Sequence, residues 1–288
     1  MSLVVLMWGY NYTALKVVYQ HFSPPAVALI RLLATLVFFW TVCLVFRFDT
    51  SYPPGQRLKF WLQGFLAFGC YMVCFLWGIE QTNPTEAAIL LSTSPLWVQI
   101  LNAILKIERM EISTIAGAFL AFSGAAVVVG AGGKTGTSTP LGIFLVTLGA
   151  LIWAVSVLVM RPLLGQRAQV ANFAMALPGA LVVLVPYGFS ATLQQDYTGI
   201  PLWTWMNLAH VVFLSGGAAM PLFYKGIEQI GPARSTLYQF LLPPVAALMQ
   251  WAVLGVPVLP LQWAGIAVVT AGIALGSAQS RKSAKLSR

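Results

Sequence analysis

Acidic side chains are nearly missing from this chain. Seven Asp and Glu occur in 288 residues, and charged residues of both signs make up 8%, against about 25% in ordinary soluble domains. None of the seven falls at the centre of an apolar run. That excludes the intramembrane carboxylate that proton- or sodium-coupled carriers usually hold, and favours a carrier running down its substrate gradient. Histidine is limited to His21 and His210, with no H-x-x-x-H pair, and no nucleophile elbow or paired central carboxylates occur. An integral-membrane enzyme, the chief rival class, therefore lacks a catalytic constellation, and neither a metal nor a cofactor is expected. Cys43, Cys70 and Cys74 all lie in apolar runs, so neither a disulfide framework nor a metal motif is implied. Long loops and an added soluble domain, which a receptor or scaffold would carry, are absent too.

What the chain has is apolar length. Apolar residues make up 59%, more than one soluble core of this size could hide, whereas lipid can solvate them. The formal charge of +9 does not point to nucleic acid, because the basic residues are spread between apolar segments. A crossing needs roughly 20 apolar residues. On that rule spans are expected at 2–19, 24–46, 58–79, 84–105, 112–131, 140–160, 170–189, 202–226, 232–254 and 260–278, with loops at 47–57 and 190–201. Pro24, Pro84, Pro140 and Pro232 sit at or beside span starts, where a missing N–H costs nothing. The first run begins at Ser2 without a basic lead-in or an A-x-A site, so no cleavable signal peptide is expected. Its abrupt start leaves that span barely long enough, as it would be inside a longer natural helix.

With the N-terminus inside, thirteen Lys and Arg fall on the cytoplasmic side, from Arg47, Arg57 and Lys59 to Arg281, Lys282, Lys285 and Arg288. Only Lys16 and Lys134 fall outside, and Arg31 lies within a span. This bias predicts ten crossings with both termini cytoplasmic.

The sequence also repeats itself. Gly78-Ile79-Glu80-Gln81 followed by Pro84 returns as Gly226-Ile227-Glu228-Gln229 followed by Pro232, an offset of 148. The same offset maps Pro95 onto Pro243, Gly117 onto Gly265 and Gly124 onto Gly272, while Trp8-Gly9…Lys16 returns near it as Trp153-Ala154…Arg161. Five spans per repeat is an odd number, so the second copy enters the membrane inverted, an arrangement characteristic of secondary transporters. The expected units are 1–131, 140–278 and a basic cytoplasmic tail at 279–288. A channel would more often be assembled from several chains around an axis.

These residues, Trp8-Gly9…Asn11, Arg31, Pro95 and Gly117/Gly124, with Trp153, Pro232, Pro243 and Gly265/Gly272 in the second half, resemble the EamA-type drug/metabolite transporter superfamily over nearly the whole chain. One departure is that Glu108, an acid after the fourth span, has Val256 at its repeat position. The resemblance implies an all-α integral membrane protein with a 5+5 inverted fold that exports metabolites, amino acids or drugs. Within the superfamily, the aromatic-rich spans are most similar to aromatic amino acid exporters of the YddG type. The bacterial inner membrane is the expected location.

Ionisable groups are costly in lipid, so each deserves a reading. Arg31 and Glu86 are either a structural ion pair between the second and fourth spans or a site where Arg31 receives a substrate carboxylate. His210 reads as a hydrogen-bonded packing residue. The mid-span polar and aromatic candidates for substrate contact are Tyr10, Asn11, Tyr71, Ser94, Trp97, Trp153, Ser156, Tyr238 and Gln239. Rings can hold an apolar or aromatic substrate while amides and hydroxyls orient its polar end. For any one of them, packing is as good a reading as lining. Pro95 and Pro243 free the carbonyls of Leu91 and Gln239 and read as hinges. Gly272-x-x-x-Gly276, with the small face Gly117, Ala121 and Ala125, reads as a close contact of the fifth and tenth spans or as a dimer seam. A monomer or weak homodimer moving small neutral or zwitterionic metabolites is the expectation; a broad multidrug pump is the alternative.

Overall fold

Out of water, a backbone must satisfy its own hydrogen bonds, and a helix does so within one segment. The computed structural model describes residues 1–82, 84–107, 111–132, 138–165 and 167–277, and these form helices and short connections with no strand among them. α1 is Ser2–Val18 and α2 is Pro24–Val45. α3 covers 57–80 and is wound as π-helix at Phe65–Cys70. α4 is broken into Pro84–Leu91 and Ser94–Leu105, and α5 is Ile112–Gly130. α6 is Pro140–Met160, closed by a 3-10 turn at Arg161–Leu163. α7 joins Gln169–Ala176 to Pro178–Gln194 at a bend of 44°. α8 covers 202–230, with a second π stretch at His210–Ala218. α9 runs from Pro232–Leu237 through a 3-10 stretch, Tyr238–Leu241, to Leu242–Leu254. α10 is Pro260–Ser277.

Seven of these segments are long and apolar enough to cross a bilayer, or up to eight if the bent pair of α7 is one span. α1, at 17 residues, is too short to qualify, and α9 is not among the seven. Large apolar side chains face outward, among them Val37 at 62%, Phe119 at 60% and Val182 at 72% exposure, a surface suited to lipid rather than water. Two ends differ from expectation: α8 runs to Ile230 where the expected span stops at 226, and α7 continues to Gln194, whereas apolarity predicts a loop from 190. The helix outlasts its apolar run because Thr192 Oγ1 donates back to the Gly188 carbonyl and the polar last turn needs no lipid. Glu108, Arg109, Lys134 and the tail 279–288 lie outside the described residues.

Hydrogen bonds tie the two ends of the bundle separately. At the Met1 end, Arg234 pairs with Glu111 at 2.8 Å, Gln99 Nε2 donates to the Ala233 carbonyl, and Arg167 pairs with Asp49 at 3.0 Å. Gln169 Nε2 donates to Glu228 there as well. At the Lys16 end, Gln195 Nε2 donates to the His21 carbonyl, Thr139 Oγ1 to the Gln81 carbonyl, and Lys16 Nζ to Gln250 Oε1. The most extensive seam is between α5 and α10. A methyl group at Gly124 would stand 2.6 Å from the Val269 nitrogen and 2.8 Å from the Gly265 oxygen, so these backbones meet only because side chains are missing.

Both broken helices pair a proline with hydroxyl side chains that bond back onto their own helix. Before Pro95, Ser92 Oγ donates to the Ala88 carbonyl and Thr93 Oγ1 to the Leu90 carbonyl. In α9 the 3-10 stretch ends two residues before Pro243, and Thr236 Oγ1 donates to the Pro232 carbonyl.

Candidate functional site

The helices surround a cavity of about 660 Å³, within the range of small-molecule sites. Its wall begins deep in the bundle at Trp8, Trp153 and Gln239 and runs up to Lys16, Ile79, Gly132 and Pro257, where helix ends stand around the mouth. α1 supplies one long stripe: Trp8, Asn11, Tyr12, Leu15, Lys16 and Tyr19 recur at three- and four-residue steps and so share a face. That face brings in Trp8, Lys16 and Tyr19, which were not among the expected contact residues.

An aromatic cluster forms the deep wall. Trp8 meets Trp153 edge-on at 5.9 Å, Tyr71 lies 5.3 Å from Trp153 and 5.7 Å from Phe75, and Phe223 backs both indoles. The indoles are fixed in place. Trp8 Nε1 donates to the Ser215 carbonyl at 3.0 Å, and Trp153 Nε1 to Gln239 Oε1 at 3.4 Å. The π-helical stretch of α8 includes Ser215, and extra-residue turns of this kind recur where a helix must present backbone to a site.

The expected residues divide clearly. Asn11, Arg31, Tyr71, Ser94, Pro95, Trp153, Gln239 and Pro243 line the cavity. Tyr10, adjacent to Asn11 but turned away, donates its hydroxyl to Asn207 Oδ1 at 2.9 Å and stacks edge-on against His210 at 4.6 Å. His210 Nε2 lies 3.1 Å from the Met7 carbonyl, a packing arrangement. Trp97 packs into the main apolar core. Ser156 donates within its own helix to the Trp153 carbonyl, and Tyr238 packs among the residues joining α5, α9 and α10. The Glu86 side chain lies outside the described residues. Two polar atoms of the wall residues, Asn11 Oδ1 and Ser215 Oγ, are buried and have no hydrogen-bond partner among the described residues, so each has unused hydrogen-bonding capacity.

An apolar helical shell around an aromatic cavity suits a membrane carrier, and comparisons with known proteins point to transporters. A solved crystal structure shares the fold with a TM-score of 0.81 over 97% of this chain and 96% of that one, at 17% identity. A probable terminal-alkyne amino-acid exporter of Streptantibioticus cattleyicolor is 27% identical over 95% of this chain and 90% of its own length. A probable amino-acid metabolite efflux pump of Salmonella typhimurium is 24% identical over 94% of this chain and 91% of its own. The uncharacterized transporter YetK of Bacillus subtilis is 26% identical over 80% and 72%. The EamA-like transporter family model matches residues 1–130 and again 140–278. The chain is therefore a multi-pass membrane transporter belonging to the EamA-like transporter family.

Proposed function

We propose that this protein is a secondary exporter of small metabolites, foremost amino acids with apolar or aromatic side chains, seated in a bacterial inner membrane. The observation that carries this reading is the cavity itself: aromatic at its deep wall, open at the Lys16 end and tied shut at the Met1 end. Of the described basic residues, Arg47, Arg57, Lys59, Lys106, Arg161, Arg167, Lys225 and Arg234 belong to the Met1 end, and Lys16 to the mouth. Positive residues favour the cytoplasm, so the mouth faces outward and both termini face in. On this reading the protein makes ten crossings as two inverted units, 1–131 and 140–278. The helix pairings support it: α5 packs along α10 and α2 along α7, while α4 on α6 is mirrored by α9 on α1. Alternating access would then exchange the two tied ends, with α4 and α9 bending at Pro95 and Pro243.

The exporter names carried by two of the relatives supply the substrate class. Purified protein in liposomes, preloaded with single amino acids or nucleosides and followed with and without a pH gradient, tests the whole reading. Efflux of at least one apolar or aromatic amino acid above protein-free liposomes is expected. No efflux of any member of the set would sink it.

A further inference from the structure

The cavity wall carries two formal charges among its described residues, Lys16 and Arg31, and no carboxylate. Lys16 is held by a neutral acceptor, Gln250. Arg31 makes none of the ion pairs present among the described residues; all three of those lie at the Met1 end. A guanidinium seven residues inside α2, without an ion-pair partner among the described residues, is expensive in an apolar surround, and an anion in the cavity would offset that cost.

Arg31 is also positioned. Its guanidinium lies against Gly216 in the π stretch of α8, where an added methyl group would stand 2.5 Å from Nε and 3.3 Å from Cζ. One turn further along α2, Thr35 Oγ1 donates to the Val212 carbonyl of the same stretch, locking the two helices in register. The tyrosines Tyr19 and Tyr71, both on the cavity wall, lie within electrostatic reach of the guanidinium. Tyr71 in turn abuts Trp153. A cation and an aromatic wall thus share one chamber.

We infer that the cavity selects substrates by a carboxylate held on Arg31, with the apolar body against Tyr71, Phe75 and Trp153, and that it turns away organic cations. This rests on the exporter reading and deepens it. Arginine's planar fork suits a carboxylate with two parallel hydrogen bonds, and two like charges in a closed-ended cavity raise the local concentration of anions.

Three compounds sharing one ring separate the alternatives: 3-phenylpropionate has the carboxylate alone, phenylalanine both charges, and phenethylamine the ammonium alone. Equilibrium binding of each to the purified protein in nanodiscs needs no flux, so it tests this inference apart from the exporter reading. Phenethylamine should bind at least about tenfold more weakly than 3-phenylpropionate, the scale of one charge-assisted pair. Arg31→Gln should remove that preference, and Arg31→Lys should keep part of it. Phenethylamine binding as tightly as 3-phenylpropionate, binding of none of the three, or an Arg31→Gln protein with the wild-type ranking would each overturn the inference. Should Arg31→Gln fail to fold, phenylglyoxal modification of wild-type Arg31, read by peptide mass, takes its place. Protection by 3-phenylpropionate and not by phenethylamine is expected; equal modification with and without the carboxylate overturns the assignment.

Discussion

Gly124→Ala is the cleanest probe of how α5 and α10 are joined. The new methyl would meet the Val269 nitrogen at 2.6 Å and the Gly265 oxygen at 2.8 Å, short of the 3.4 Å at which ordinary contact begins by about 0.6–0.8 Å. Both opposing atoms are backbone, so no side chain can swing aside, and the helices must part. A gap of roughly 0.5–1 Å forfeits about a quarter to a half of each dispersion contact along the seam. Overpacking of this kind costs about 1–3 kcal/mol, offset in part by alanine's helix propensity, about 1 kcal/mol better than glycine's. A net loss on the order of 1 kcal/mol is the expected value for alanine, and Gly124→Val should lose more. The matched control is Gly130→Ala, in the same helix, where an added methyl meets nothing within 4 Å. Reversible unfolding in mixed micelles, or steric trapping in bicelles, reads the difference. If Gly124→Ala proves as benign as Gly130→Ala, the two helices do not approach this closely and the seam is misjudged.

Trp153→Ala should raise the apparent KM for an aromatic substrate several-fold, since one lost ring contact is worth about 0.5–1.5 kcal/mol beyond its area. If Trp153→Ala and Tyr71→Ala both transport normally, the deep wall does not touch substrate; if alanine unfolds the protein, Trp153→Phe is read instead. Efflux should persist when the pH gradient is collapsed, and between pH 6 and 8 Arg31 should add no pH dependence, because a guanidinium stays protonated throughout. Complete loss without the gradient would move coupling onto His210 or Glu86. Single cysteines at Lys106 and Gly199 should label from opposite faces of the membrane, and labelling of both from one face would end the inverted arrangement.

Helix starts were readable because proline announces them: Pro24, Pro84, Pro140 and Pro232 all open helices. Likewise the α5–α10 seam was visible as spaced glycines. Helix phase was much harder to read. Asn11 faces the cavity and Tyr10 faces α8, yet nothing in an all-round apolar helix says which neighbour turns inward. Ser94 and Trp97 part company for the same reason. The π stretches at Phe65–Cys70 and His210–Ala218 left no periodic trace, because one extra residue per turn is set by packing against other helices. It is the second of these that gives Arg31 its seat. A cation within a span was conspicuous in the sequence, whereas the room made for it was not.

A cavity whose fixed charges are both positive also bears on what can drive the protein. For a substrate leaving the cell with one net negative charge, the inside-negative potential does work of about 2.3 kcal/mol per 100 mV. That sustains roughly a forty- to fifty-fold excess outside without any coupled ion. A zwitterion gains nothing from the same field. By admitting anions at Lys16 and Arg31, the wall would let the resting voltage itself decide which carboxylates are expelled and which merely equilibrate.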